Sequence, residues 1–351
     1  MATLQQVKDA IAVEAAEVKT FVDSVSPPPP PPPQPVGNPT GIYVAGSANQ
    51  VDLARSFVRG YLLRAKWSDL EPTQGNRDWS KLDAELALAD SYGAKVALLV
   101  LNGPHAPAWL EAVGAKMFTY TFKGIPNTKM PVPWDSIYLN AWTDFVAALG
   151  QHYRDRATIS FVRCVNSTYN GGEMQLGVGS GAKGAWAAAG YTDDLVLSSW
   201  KTVLNAFAAA FPSKPLVVDL HPMFSGEVFS DDNGSVAGNV VSYGNSTIGT
   251  RFGVIAGWWS QYNVSTGYPE MFELLKQAAM TSFGMVQFVA SAANDPEAFT
   301  NIAGTTPLDA LTGAIDLALN NGVRYVEIWN VDIRHPEFQL LLTETGVDLS
   351  K

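Results

Sequence analysis

Eight short apolar runs, each followed by a stretch with helical spacing, constrain this chain more than any other feature of its sequence. They occupy residues 42–45, 57–65, 95–101, 159–165, 216–220, 252–257, 284–289 and 324–329. Between them apolar residues recur every three or four positions, most clearly over 79–92, 136–153, 193–211, 271–280 and 308–320. A strand that is apolar on both faces must be covered on both, and parallel pairing requires a crossover, usually a helix. Eight such units predict an α/β chain closed into a (β/α)8 TIM barrel over residues 41–351. A doubly wound open sheet competes, but no Gly-x-Gly-x-x-Gly follows an early strand and no P-loop is present.

Two segments precede the barrel. Leu4, Val7, Ile11, Val18, Phe21 and Val25 fall on alternating three- and four-residue steps, broken only at Glu14, which predicts a coiled-coil-like amphipathic helix over residues 1–26. Three heptads are marginal alone, so the stripe needs the barrel, other copies of the chain or a larger assembly as its partner. Seven consecutive prolines then follow Ser26, and residues 27–40 read as an extended polyproline spacer.

Of the 351 residues, 47% are hydrophobic and 16% charged, enough to bury a large core. A net charge of −10 with no cluster of Lys and Arg argues against nucleic acid and anionic membranes as partners. No run approaches a membrane span and no export signal opens the chain, so synthesis in the cytoplasm is expected, with attachment to a virion as a later fate. The single cysteine, Cys164, lies in an apolar strand and reads as an inert buried thiol.

In such a barrel the chemistry comes from the C-terminal ends of the strands. Reading those ends in order gives Arg64 and Trp67, then Asn102, His105 and Trp109, then Asn166, then Asp219 and His221, then Trp258, then Gln287, and last Glu327, Trp329 and Asp332. Carboxylates that move protons, amides that bind hydroxyls and rings that stack on a pyranose suit a carbohydrate. Trp258 and Trp259 are adjacent on a strand, so only one can face the rim. Asp219, His221 and His105 offer a weak metal set, and Ser167 with His221 and Asp219 a triad without its elbow motif; neither is adopted, and no cofactor is expected.

The run Arg64-x-x-Trp67-Ser68-x-x-Glu71-Pro72, with Gly75, Asp78-Trp79, Leu82-Asp83 and Pro107-Ala108-Trp109-Leu110, resembles the second and third strands of retaining (β/α)8 glycosidases, especially family 42 β-galactosidases. That resemblance implies a glutamate after Asn at the end of the fourth strand and another at the end of the seventh. This chain has Asn166-Ser167 and Gln287 there, and neither a serine nor a glutamine can do the work of those acids. Glu173, in Asn170-Gly171-Gly172-Glu173, resembles the Gly-Glu loop in which inverting β-amylases hold their acid.

Glu327 shares the inward parity of Tyr325 and Trp329, so Glu173 as acid and Glu327 as second carboxylate make one candidate pair. The competing readings are a solvated loop residue for Glu173 and a structural ion pair with Arg64 or Arg163 for Glu327. Glu71, beside Pro72, is expected to close a turn. Short helix, polyproline tract and large domain together resemble the layout of bacteriophage virion proteins. The expected function is thus action on a carbohydrate, with hydrolysis of a surface polysaccharide as one form. A catalytically inactive glycan-binding or decoration module is the other.

Overall fold

The computed structural model describes residues 37–46, 48–178, 181–225 and 232–350; the expected helix over 1–26 and nearly all of the polyproline tract lie outside them. Eight parallel strands form a closed barrel in chain order: β1 (Gly41–Ala45), β2 (Val58–Lys66), β3 (Lys95–Leu101), β4 (Ile159–Arg163), β5 (Leu216–Asp219), β6 (Phe252–Trp259), β7 (Gly284–Phe288) and β8 (Tyr325–Trp329). β8 closes on β1 in unbroken register, from Gly41 opposite Tyr325 to Ala45 opposite Trp329. The fold is a (β/α)8 barrel.

The strands are buried along almost their whole length because helices cover their outer face and side chains fill their inner one. Helix Ser136–Tyr153 shows how the cover is made: Asp135 caps it by accepting from the Tyr138 amide at 3.0 Å, and Tyr138, Trp142, Phe145, Leu149 and Tyr153 form its buried stripe. All five expected helices are present. Two further ones, Asp232–Ile248 and Gln339–Leu349, complete the ring. The first is rich in Gly, Asn and Ser, which hid it from a reading by propensity.

Side chains of alternate parity point into the barrel and stack in layers. Tyr43, Phe161 and Tyr325 make an aromatic layer, with ring centroids 4.5 Å apart for Tyr43 and Tyr325 and 5.2 Å for Phe161 and Tyr325. Two residues further along their strands stand Arg163 and Glu327, and at corresponding inward positions Arg64, Asp219 and Gln287. A polar layer therefore sits on an aromatic one, toward the C-terminal ends of the strands.

An antiparallel hairpin unforeseen from the sequence, Met117–Phe122 paired with Ile125–Pro131, is inserted after β3. It turns through Lys123 and Gly124, both at positive φ (49° and 81°). The Tyr120 hydroxyl ties it down by donating to the Tyr169 carbonyl at 2.6 Å. Among the described residues no helix is long and apolar enough to cross a membrane.

Candidate functional site

The polar layer opens into a cavity of about 470 Å³ at the mouth of the barrel, lined by Arg64, Leu99, Leu101, His105, Phe122, Lys123, Arg163, Asn170, Glu173, Asp219, Gly257, Gln287, Val289 and Trp329. Its two carboxyl groups reach it by different routes. Asp219 ends β5, whereas Glu173 lies ten residues beyond the end of β4, on a loop pinned at both sides. The Asn102 amide donates to the Gly171 carbonyl at 3.0 Å, and the Met174 amide to the Asp219 carbonyl at 3.0 Å.

Gly171 is required for that pinning: its φ is 81°, and a Cβ there would stand 2.4 Å from the Asn102 carbonyl oxygen. Asn170 then accepts from the amides of Gly172 and Glu173, turning the chain inward. Oε2 of Glu173 is held at 2.6 Å by each of two amides, those of Asn170 and Gln175. Its Oε1 faces β6, where a Cβ on Gly257 would lie 3.1 Å from it and 3.3 Å from Oδ1 of Asp219. The two carboxyls thus crowd one point, kept open by a glycine.

Asp219 is 4% exposed. Its Oδ2 accepts from Arg163 at 2.8 Å, and its Oδ1 has no partner among the described residues. Burial pushes its pKa up to about 7; Arg163 opposes the rise, and the carboxyls of Glu173 and Glu327 add to it. A group titrating near 7 is suited to moving protons at neutral pH.

Glu327 takes the second of its two expected roles, the structural ion pair with Arg163, and not that of a catalytic carboxylate at the mouth. It is wholly buried, accepts from both Arg163 and the Tyr325 hydroxyl on one oxygen, and does not line the cavity. It serves to hold Arg163, whose guanidinium stays charged because these two carboxylates outweigh its burial.

Of the other residues read from the sequence, Arg64, His105, Asp219, Gln287 and Trp329 line the mouth with Glu173, and the rest do not. Trp67 is buried among Trp109, Tyr138, Trp142 and Phe145. Its indole donates to Glu71 Oε2, and Trp109 donates to the Glu71 carbonyl. Glu71 also receives the Gly75 amide at 2.7 Å, closing the turn.

Asn102 and Asn166 are joined through the Tyr138 hydroxyl, and Asn166 also donates to Ser199. The indoles of Trp258 and Trp259 donate to the carbonyls of Leu220 and Ala314, and both rings are buried and outside the cavity lining, so neither is presented there as a platform. His221 packs on Tyr268, and Asp332 fastens the Ser291–Ala293 turn through three hydrogen bonds. Ser167 is buried and donates to the Pro131 carbonyl, outside any triad. Burial raises the pKa of the Cys164 thiol.

Phe122 and Lys123 of the hairpin, Asn170, Arg163 and Gly257 complete the mouth and were not among the residues singled out for it. Among the described residues no three His, Cys, Asp or Glu side chains gather as a metal site.

Several solved structures share this architecture. The chain superposes on the catalytic domain of β-amylase from Paenibacillus polymyxa with a TM-score of 0.59 at 9% identity, covering 88% of this chain and 98% of that one. The two share the (β/α)8 barrel fold. Xylanase 10B from Thermotoga petrophila RKU-1, in complex with xylobiose, aligns with a TM-score of 0.49 at 11% identity, over 83% of this chain and 82% of that one. A psychrophilic glycoside hydrolase family 10 endo-β-1,4-xylanase gives 0.49 at 13% identity, over 83% and 86%. No protein-family model matches the sequence, and no curated protein matches it. At such identities the likeness is one of fold, and the chemistry must be argued from the mouth itself.

Proposed function

We propose that the barrel mouth binds a carbohydrate and cleaves a glycosidic bond with Glu173 and Asp219 as its carboxyl pair. The observation that carries this is the convergence of Glu173 Oε1 and Asp219 Oδ1 on the open space at Gly257. Asp219 holds the proton, and the half-buried Glu173, facing the substrate, relays it to the leaving oxygen as the C–O bond breaks. The pair, now more negative, stabilises the positive charge at the anomeric carbon; water adds there and returns its proton to the pair.

Both oxygens face the one open space at Gly257, so this pair works from one side of the bond. Trp329 and Phe122 supply rings for the sugar faces. The Gly-Glu loop and the β-amylase-like fold support the reading together.

The test is product release from a panel of bacterial and algal surface polysaccharides by the wild type, Glu173→Gln and Asp219→Asn. Both substitutions should lower turnover roughly a hundredfold or more. Turnover unchanged in both would overturn the assignment.

A second reading is favoured by Gln287 and Ser167, which stand where the resembled glycosidases keep their acids. In it the mouth binds glycan without cleaving it, and the chain is a decoration module. Residues 1–40 would then attach it to a larger assembly such as a virion. Binding without product, unaffected by either carboxyl substitution, would select it.

A further inference from the structure

The mouth carries a second kind of charge beside its carboxyl pair. Arg64 and Lys123 line the same cavity, and Lys66 follows Arg64 by two residues on the inward side of β2, one step nearer the rim. Among the described residues none of the three has a carboxylate at ion-pair distance. Asp69, on the segment just after Lys66, pairs with Lys81 at 3.7 Å. The Arg64 guanidinium donates to a neutral acceptor, the Gln287 amide oxygen, at 2.9 Å. In a chain of net charge −10, three cations with no carboxylate paired to them around one opening suit an anion from outside.

The hairpin makes the arrangement specific. Lys123 occupies a left-handed backbone position, φ 49°, that a glycine or asparagine would adopt more easily, and its ammonium lies 5.5 Å from the centre of the Phe122 ring. The turn thus delivers one aromatic face and one positive charge to the mouth together. His105 lies between hairpin and barrel, its ring edge-on to Phe122 at 6.1 Å. Burial lowers its pKa, and Lys66 and Lys123 lower it further against the opposing field of Asp69.

We propose that the mouth takes an anionic carbohydrate, a polymer carrying carboxylate or sulfate groups, with Arg64, Lys66 and Lys123 holding the charged substituent. This rests on the carbohydrate reading above and narrows its substrate class. Half-buried Arg64 supplies the directional contact, since a guanidinium binds a carboxylate or sulfate through paired hydrogen bonds. The exposed lysines add attraction that salt can screen.

The experiment measures binding of the full chain to polygalacturonate against its fully methyl-esterified form, and to carrageenan against agarose, at low and high salt. One comparison isolates carboxylate and the other sulfate. The charged member of at least one pair should bind roughly tenfold more tightly, and that advantage should shrink in high salt. Lys66→Ala with Lys123→Ala, both at exposed positions where folding is not at stake, should remove most of it.

Equal binding of charged and neutral members, or an advantage indifferent to salt and to the double substitution, overturns the charge class and leaves the carbohydrate reading standing. Binding to none of the four polymers, nor to the neutral members of the surface-polysaccharide panel, overturns both.

Discussion

Asp219 and Arg163 are joined on one side only: Nη1 of the arginine lies 2.8 Å from Oδ2 of the aspartate, while Oδ1 stays unpartnered and faces the open space at Gly257. The carboxyl is thereby anchored without being consumed. Turnover that draws on its proton should decline as pH rises through about 7, giving an alkaline limb far above the ordinary aspartate value of 3.8. A rate profile on any cleaved glycan checks this, and a limb near pH 4 would contradict it.

The same shift has a consequence for stability. A carboxyl with a higher pKa folded than unfolded binds its proton more tightly in the fold, so its contribution is complete below about pH 4 and is lost as pH rises through about 7. Urea midpoints of the wild type should therefore show a downward component across that window that is absent from Asp219→Asn.

Arg163 holds the polar layer together, with Asp219 on one nitrogen and Glu327 on the other. Arg163→Met strands two buried carboxylates and should cost roughly 3–5 kcal/mol in chemical denaturation. A loss under about 1 kcal/mol, the ordinary worth of an exposed pair, would show that water reaches the layer.

Gly257→Ala places a methyl group between the two carboxyls. Glu173 is half-buried and can retreat, so the fold should tolerate the change while the pair is forced apart. Turnover should drop by roughly tenfold or more with little change in melting temperature, a split that a merely structural glycine would not produce.

Glu71 belongs to the scaffold. Glu71→Ala leaves the buried Trp67 indole without its acceptor and frees the exposed Gly75 amide to water, and should cost about 1–3 kcal/mol for the stranded indole. Glycan affinity should be retained, as measured by titration calorimetry on the folded fraction.

The barrel was legible because parallel strands buried on both faces leave continuous apolar runs, and the observed strands lie close to the expected ranges. Glu173 was legible as a glutamate after two glycines. Its partner was not, because Asp219 becomes the second carboxyl only when the Asn102 and Met174 amides pin the loop between the ends of β3 and β5. Glu327 had the right parity, yet parity says nothing of depth, and two residues beyond Tyr325 is still beneath the mouth. Trp67 and Trp109 belonged to the run most like a known family and proved to be packing around Glu71. Conversely, Lys123 stood in a stretch too short and too mixed in polarity to announce a hairpin.

That hairpin leaves the barrel and returns to it at neighbouring points, Met117 standing opposite Pro131, so whatever happens at its tip is insulated from closure of the barrel. Loops of this kind tolerate replacement at little entropic cost. Phe122 and Lys123 are therefore exchangeable parts: one tip could be traded for another, changing what the mouth meets, while the polar layer beneath remained as it is.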